Sequence, residues 1–162
     1  MEVIDNFLHK EIFDPMQVTM LGYAFPWFYN SDIVDENDQN ELFQFVHLFF
    51  SSNKNHVDEH YNTGLYPVYD ALGVKTLYRV KANLNVRTNK HYNTGFHVDI
   101  PTMKCKTAIL YMNTNNGWTE FENGDKVDSV ENRLVIFDSQ MKHAGNTSTD
   151  QKIRVLINFN YD

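Results

Sequence analysis

Cysteine is nearly absent. Cys105 is the single one in 162 residues, so no disulfide forms within the chain and no site built on paired thiolates is available. That scarcity suits a reducing compartment. Basic runs are missing too: 14 Lys and Arg stand against 21 Asp and Glu, a net charge of −7. A polyanionic backbone is repelled by such a surface on average, so nucleic acid is not an expected partner. No stretch approaches ~18 consecutive apolar residues, and no membrane span is expected. The opening "MEVIDNFLHKEIFD" is acidic from its second residue and has no apolar core of signal-peptide length. These absences together lead to the expectation of a soluble, cytoplasmic protein. Aromatic residues, by contrast, are plentiful at 14%, which favours one β-rich domain with large side chains in its core.

The pattern divides the chain in two. In "DQNELFQFVHLFF", Leu42, Phe43, Val46, Phe49 and Phe50 recur at three- and four-residue spacing, which predicts a helix with Asp38 and Glu41 as its capping box. Residues 9 to 21 form a weaker helical pattern, with Asp14-Pro15 at a start or kink. "TGLYPVYDALGV" predicts a short helix ending at Gly73, with Pro67 in its first turn. From Lys75 the period changes to two. "KTLYRVKANLNV", "CKTAILYMNT", "RLVIFDS" and "KIRVLINFNY" read as strands, "NTNNGW" as a turn, and Asn123-Gly124 as a hairpin. Several strands with short turns and no helices between them predict an antiparallel sandwich or jelly roll. The expected organisation is one domain over residues 1–162, with a helical support over about 1–74 and a jelly-roll core over about 75–162.

The candidate chemistry begins at "GFHVDIP". His97 and Asp99 are two apart, so an extended backbone points both side chains the same way. Such a pair suits a metal site, but taken alone it is more often a polar pair on the wet face of a strand. Two imidazoles and one carboxylate make the facial triad of non-haem iron sites, and His143 in "SQMKHAGNTS" is the natural third ligand. The segment between His97 and His143 has room for about four strands with their turns. In the last strand, Ile153, Val155, Ile157, Phe159 and Tyr161 share one face, and Arg154, Leu156, Asn158 and Asn160 the other. Arg154 then lies either on the wet face of an edge strand or inside a barrel facing an anion. A guanidinium buried without a carboxylate partner costs several kcal/mol. The remaining histidines, His9, His47, His56, His60 and His91, read as surface or core residues with satisfied rings. The aromatic stretch "YAFPWFYN" and the loop around residues 51 to 64 are candidates for a lid or substrate edge, or else for core and surface.

Taken together, "FHVDIP", "TAILYMN", "GWTEF", "RLVIFDSQMKHAG" and "KIRVLINF" resemble the Fe(II)/2-oxoglutarate-dependent oxygenases, specifically their prolyl-hydroxylase-like branch. "KANLN" and "NTNNGWTEFENG" are most similar in style to small stand-alone members carried by marine phages. The resemblance implies a double-stranded β-helix (a jelly roll, cupin-like) braced by N-terminal helices. It implies His97, Asp99 and His143 as metal ligands, and Arg154 with Tyr111 as the grip on the far (C5) carboxylate of 2-oxoglutarate. It also implies a polar residue on the strand before H-x-D near metal and co-substrate. Asn83 is the best match there, with Tyr78 and Tyr92 as rivals. Trp118 replaces the second of two glycines common in the branch and reads as packing or pocket wall.

The resemblance further implies Fe(II), with 2-oxoglutarate and O2 as co-substrates, ascorbate as a further reductant, and succinate and CO2 as products. The reaction expected is hydroxylation of a C–H bond, because halogenating relatives lack the carboxylate found here at Asp99. The substrate expected is a peptidyl residue such as proline, or a small metabolite. A different class remains open at this stage: a non-catalytic, cupin-like module that uses the same ligands to hold a metal.

Overall fold

Alternation of apolar and polar residues decides this architecture, because it gives a strand two faces with opposite solvent demands. The computed structural model of the chain describes residues 1–33 and 42–162. Within them the elements run β1 (Glu2–Ile4), α1 (Lys10–Leu21), β2 (Phe28–Asn30), β3 (Gln44–Ser51), β4 (His56–Val57), α2 (Glu59–Asn62), a 3-10 turn at Thr63–Leu65, and α3 (Tyr66–Leu72). They continue as β5 (Leu77–Val86), β6 (Lys106–Tyr111), β7 (Trp118–Phe121), β8 (Lys126–Asp128), β9 (Leu134–Asp138), β10 (His143–Asn146) and β11 (Ile153–Tyr161). All pairing is antiparallel. The larger sheet has eight strands in the order β1-β9-β6-β11-β5-β3-β2, with β4 paired to β3, and the smaller has the order β10-β7-β8. Isolated bridges Asn93↔Asn146 and His97↔His143 extend the smaller sheet beyond β10.

The larger sheet is covered on both sides. On one face Val80, Ala82 and Leu84 of β5 join Val155, Ile157, Phe159 and Tyr161 of β11, and α1 and α3 pack there through Phe13, Met20 and Val68. On the other face Ile109 and Tyr111 of β6, Val135 and Phe137 of β9, and Leu156 of β11 meet Phe121 and Val127 of the smaller sheet. Fully burying one such large apolar side chain contributes about 1.5–3 kcal/mol, so these two layers dominate the favourable side of folding. β11 lies between β5 and β6 at the centre of the sheet. Its second face, with Arg154, Leu156, Asn158 and Asn160, is therefore interior, and the reading of Arg154 as a wet-edge residue is excluded.

The first third differs from the sequence expectation. Gln44–Ser51 is a strand, β3, where the apolar spacing predicted a helix, and the Asp38–Glu41 capping box lies outside the described residues. Both faces of this strand are in contact with protein, so apolar residues occupy both and imitate helical spacing. Pairing with β5 from Gln44 to Ser51 and a content of Phe, Val and His decide in favour of the strand. A register shift between Leu48 and Phe50 breaks the alternation further. The helical support thus holds three short strands, β1, β2 and β4, and one long one, β3, as well. The other two helices form where expected. α1 begins at Lys10, so Pro15 sits inside it rather than at its start. α3 carries its proline in the first turn and ends at Gly73.

Turns also sort into expected and unexpected. β7 and β8 are joined through Asn123-Gly124, where Gly124 takes φ 91, a left-handed conformation that suits glycine. "NTNNGW", expected as a turn, is the crossing from β6 in the larger sheet to β7 in the smaller. His47 is a core histidine satisfied on one side only: its Nδ1 donates to Pro26 O at 2.9 Å and Phe25, Phe49 and Tyr61 surround the ring, while its buried Nε2 has no hydrogen-bond partner among the described residues.

Besides the pairing of β1 with β9 and the Arg133–Asp5 ion pair, the side chain of Asn132 ties the N-terminal segment to the core. Asn132, in the β8–β9 turn, accepts from Leu8 N at 3.0 Å and donates to Leu8 O at 2.8 Å, while Phe7 N donates to Asn132 O. Its φ of 58 is one that asparagine tolerates better than most residues. Asn132→Ala is expected to lower stability by about 1–3 kcal/mol, since both groups of Leu8 lose buried partners. Denaturant unfolding checks this; an unchanged midpoint would show that the turn does not anchor the N-terminal segment.

Candidate functional site

Two imidazoles come together because the backbone ties them. His97 N donates to His143 O and His143 N to His97 O, each at 3.0 Å, which places the rings 4.8 Å apart. Each Nδ1 lies against a carbonyl oxygen, His97 on Gly95 O at 3.1 Å and His143 on Met141 O at 3.2 Å. A carbonyl only accepts, so Nδ1 is the nitrogen that keeps its proton on both rings, which leaves Nε2 as the one that can bind a metal. His97 Nε2 lies 4.0 Å from Asp99 Oδ1, and the ligand atoms of His97, Asp99 and His143 all fall within 4.8 Å of one another. Phe137 packs edge-on against His143 at 4.9 Å.

Asp99 reaches this cluster by a different route from the one the sequence suggested. Regular pairing ends at His97, and Asp99 lies in a bend, not on a strand face. The opposite sheet holds its carboxylate instead: Arg79 Nη2 donates to Oδ1 at 2.8 Å and Asn160 Nδ2 to Oδ2 at 3.3 Å. Burial pushes the Asp99 carboxyl up, but Arg79, His143, His97 and Lys81 outweigh it and hold it at about 2. Burial lowers His143 more than Asp99 raises it, so the ring is neutral at pH 7.

Arg154 opens onto the same pocket, whose wall also includes Lys81, Asn83, Asn85, Thr119 and Asn158. It is 2% exposed, and its partners are hydroxyls: Nε donates to Ser129 Oγ at 2.8 Å and Nη2 to Thr119 Oγ1 at 3.2 Å. Among the described residues no carboxylate lies within ion-pair distance of it. Burial lowers its pKa, yet a guanidinium stays charged. Lys81, also in the wall, is lowered to about 8 by burial and by neighbouring Arg79 and Lys54, against the pull of Asp99.

The other expected residues divide. Asn83 lines the pocket with a buried Oδ1 that has no partner. Its rivals lie elsewhere: Tyr78 donates to Asp162 Oδ2 and Tyr92 pairs with Asn89. Tyr111 stands behind the wall rather than in it, donating to Thr119 Oγ1 at 2.7 Å with its ring 5.7 Å from the Arg154 guanidinium carbon. Thr119 accepts from both Tyr111 and Arg154, which leaves its own hydroxyl proton for a ligand in the pocket. Trp118 packs on the outer side of the smaller sheet, against His91 and Lys126, and is not pocket wall. "YAFPWFYN" and residues 51 to 64 also stay off this wall; among the described residues of the first third, Ile33 and Gln44 contribute to it.

Sequence reasoning missed Arg79, Lys81, Thr119, Asn158 and Asn160. The signal was present in "YRVKANLN", where Arg79, Lys81, Asn83 and Asn85 occupy every second position. β11 aligns its own polar face beside them, with Arg154↔Asn85, Asn158↔Lys81 and Asn160↔Arg79. Two adjacent strands whose polar faces coincide at the centre of a sheet indicate a wet interior, not a wet exterior.

No protein-family model matches the chain, and no curated protein matches it. Solved structures do. A Trichoplax adhaerens prolyl hydroxylase in complex with a hypoxia-inducible-factor peptide fragment is 15% identical with a TM-score of 0.59, covering 99% of this chain and 83% of that one. A Burkholderia pseudomallei oxidoreductase of the 2OG-Fe(II) oxygenase family is 12% identical with a TM-score of 0.62, covering 92% and 76%. SnoN, a non-haem α-ketoglutarate-dependent epimerase of nogalamycin biosynthesis, is 11% identical with a TM-score of 0.63, covering 99% and 76%. The fold of this chain is the double-stranded β-helix of the 2OG-Fe(II) oxygenases among these neighbours.

One glycine protects the pocket's geometry. A Cβ at Gly117 would meet Asn146 O at 2.7 Å and Arg154 Cδ at 2.8 Å. Gly117→Ala is therefore expected to destabilise by about 1–3 kcal/mol through overpacking. A thermal midpoint equal to that of the parent would mean that Arg154 has room to move aside.

Proposed function

We propose that this chain is an Fe(II)- and 2-oxoglutarate-dependent dioxygenase that hydroxylates a C–H bond, with release of succinate and CO2. The observation that carries the reading is one pocket that holds both a two-histidine, one-carboxylate cluster and a buried guanidinium with no carboxylate partner among the described residues. The donor set fits the metal, since neutral imidazole nitrogens and a carboxylate on one side suit ferrous iron with open positions. The cation fits the co-substrate, since a two-pronged contact from Arg154 to a carboxylate would supply the missing counter-charge.

Each residue then has a task set by its surroundings. His97, Asp99 and His143 would hold the ion. Arg154 and the Thr119 hydroxyl would grip the far carboxylate of the 2-oxo acid. Tyr111 keeps Thr119 in its accepting orientation and, with burial raising its pKa, stays a neutral donor. Asn83 and Asn158 present unpaired amide oxygens to the pocket, and an amide turned about its axis presents a donor instead. The apolar residues Ile109 and Leu156 limit the water that enters between these groups. When bound, the ion and the 2-oxo acid supply the oxidising chemistry, coupling reduction of O2 and decarboxylation to insertion of one oxygen atom into a C–H bond.

The substrate in this reading is a peptidyl residue, with proline the leading case, or a small metabolite. A non-catalytic metal module explains the histidines but gives no use to a buried guanidinium that has no carboxylate partner among the described residues. A cytoplasmic setting accords with the single cysteine, and no helix among the described residues is long and apolar enough to cross a membrane.

The test is production of succinate from 2-oxoglutarate with Fe(II) and O2. His97→Ala and Asp99→Ala are each expected to abolish metal binding and turnover while far-UV circular dichroism stays that of the parent. Full decarboxylation by both variants would sink the assignment.

A further inference from the structure

The third ligand of the candidate metal centre is placed by the sheet opposite the other two. His97 and His143 are fixed to each other by a backbone bridge within the smaller sheet. Asp99 lies beyond that bridge, and no backbone hydrogen bond of its own fixes it among the described residues. What holds its carboxylate is a row across three strands of the larger sheet: Arg79 of β5, Asn160 of β11 and Thr107 of β6, in direct register. Asn160 Nδ2 donates both to Asp99 Oδ2 and, at 3.0 Å, to Thr107 Oγ1, which braces the amide. Arg79 donates to Oδ1, the oxygen that faces His97. Carboxylate ligands are oriented by such outer partners, and losing one typically lowers metal affinity by about 10–100-fold.

We propose that Arg79 is a positioning residue for the metal centre, which turns the Asp99 carboxylate towards the two histidines and holds it there across the barrel. This rests on the reading of the site as metal-binding. Arg79 touches no metal or substrate itself; it acts through Asp99. Its side chain is 23% exposed whereas that of Asp99 is 4% exposed, so the pair is accessible from one side, and the carboxylate is the buried partner. An oxygen that accepts one hydrogen bond retains a lone pair for a metal ion, so the contact is compatible with ligation. The ion pair also compensates the buried negative charge before any metal arrives, which allows the site to be formed in advance.

The experiment measures Co(II) affinity by chelator competition, together with the visible spectrum of bound Co(II), for the parent, His143→Ala, Arg79→Met, Arg79→Gln and Arg79→Lys. Thermal midpoints in EDTA show which variants are folded. Arg79→Met is expected to weaken Co(II) binding by about 10-fold or more and to change the ligand-field bands. Arg79→Lys should recover part of the affinity by restoring charge, and Arg79→Gln less. Should Arg79→Met fail to fold, Arg79→Gln carries the comparison. Unchanged affinity and spectrum in a folded Arg79→Met or Arg79→Gln protein, in a background where His143→Ala abolishes binding, would overturn this inference alone. A parent protein that binds no Co(II) would overturn the proposed metal centre and the inference with it.

Discussion

The structure depends on two neighbouring strands, β5 and β11, that are dry on one side and polar on the other. Their apolar faces form the layer on which α1 and α3 rest. Their polar faces coincide because the register sets Arg154 beside Asn85, Asn158 beside Lys81 and Asn160 beside Arg79. A slip of one residue would turn the guanidinium, lysine and asparagines into the helical core and the valines into the pocket. Hydrophobic burial on one face thus enforces the placement of charge on the other. Stability and site geometry are two consequences of the same alternation.

Charge organises the pocket that results. Lys81 and Arg154 are wall residues, and Asp99 is the carboxylate among them, with Arg79 bonded to it. In a chain of net charge −7 this is a local reversal of sign. Arg79 is matched by Asp99, which leaves Arg154 and Lys81 for anions that arrive from solvent. A dicarboxylate suits such a lining, and a metal ion suits the imidazole nitrogens whose protons are held on the far side of each ring. Burying unpaired cations is unfavourable for the empty protein, so the site resembles other functional centres in carrying a local cost that a ligand offsets.

Much of this was legible in the sequence where a pattern is local. The period-two strands from Lys75, the Asn123-Gly124 hairpin, the helices near residues 9 to 21 and 63 to 73, and the two faces of the last strand all follow from short-range rules. The His97, Asp99 and His143 series could be named from residue type and order. What was not legible depends on partners distant in the chain. β3 imitates a helix because apolar side chains occur on both its faces, buried on one and half-buried on the other, and only its pairing with β5 distinguishes the two. Asp99 was placed on a strand face by local reasoning, whereas Arg79 and Asn160 hold it from across the barrel. Thr119 came into view only once Tyr111 and Arg154 were seen to converge on its hydroxyl.

In the proposed function one pocket receives a metal ion and a dicarboxylate together. The most direct measurement is anaerobic calorimetric titration of 2-oxoglutarate into the Fe(II)-loaded protein and into its Arg154→Met variant. One-to-one binding is expected, weakened in the variant on the order of ten- to a hundredfold, as suits the loss of charge-assisted hydrogen bonds. Absence of saturable binding, or equal affinity in the two proteins, would contradict the account.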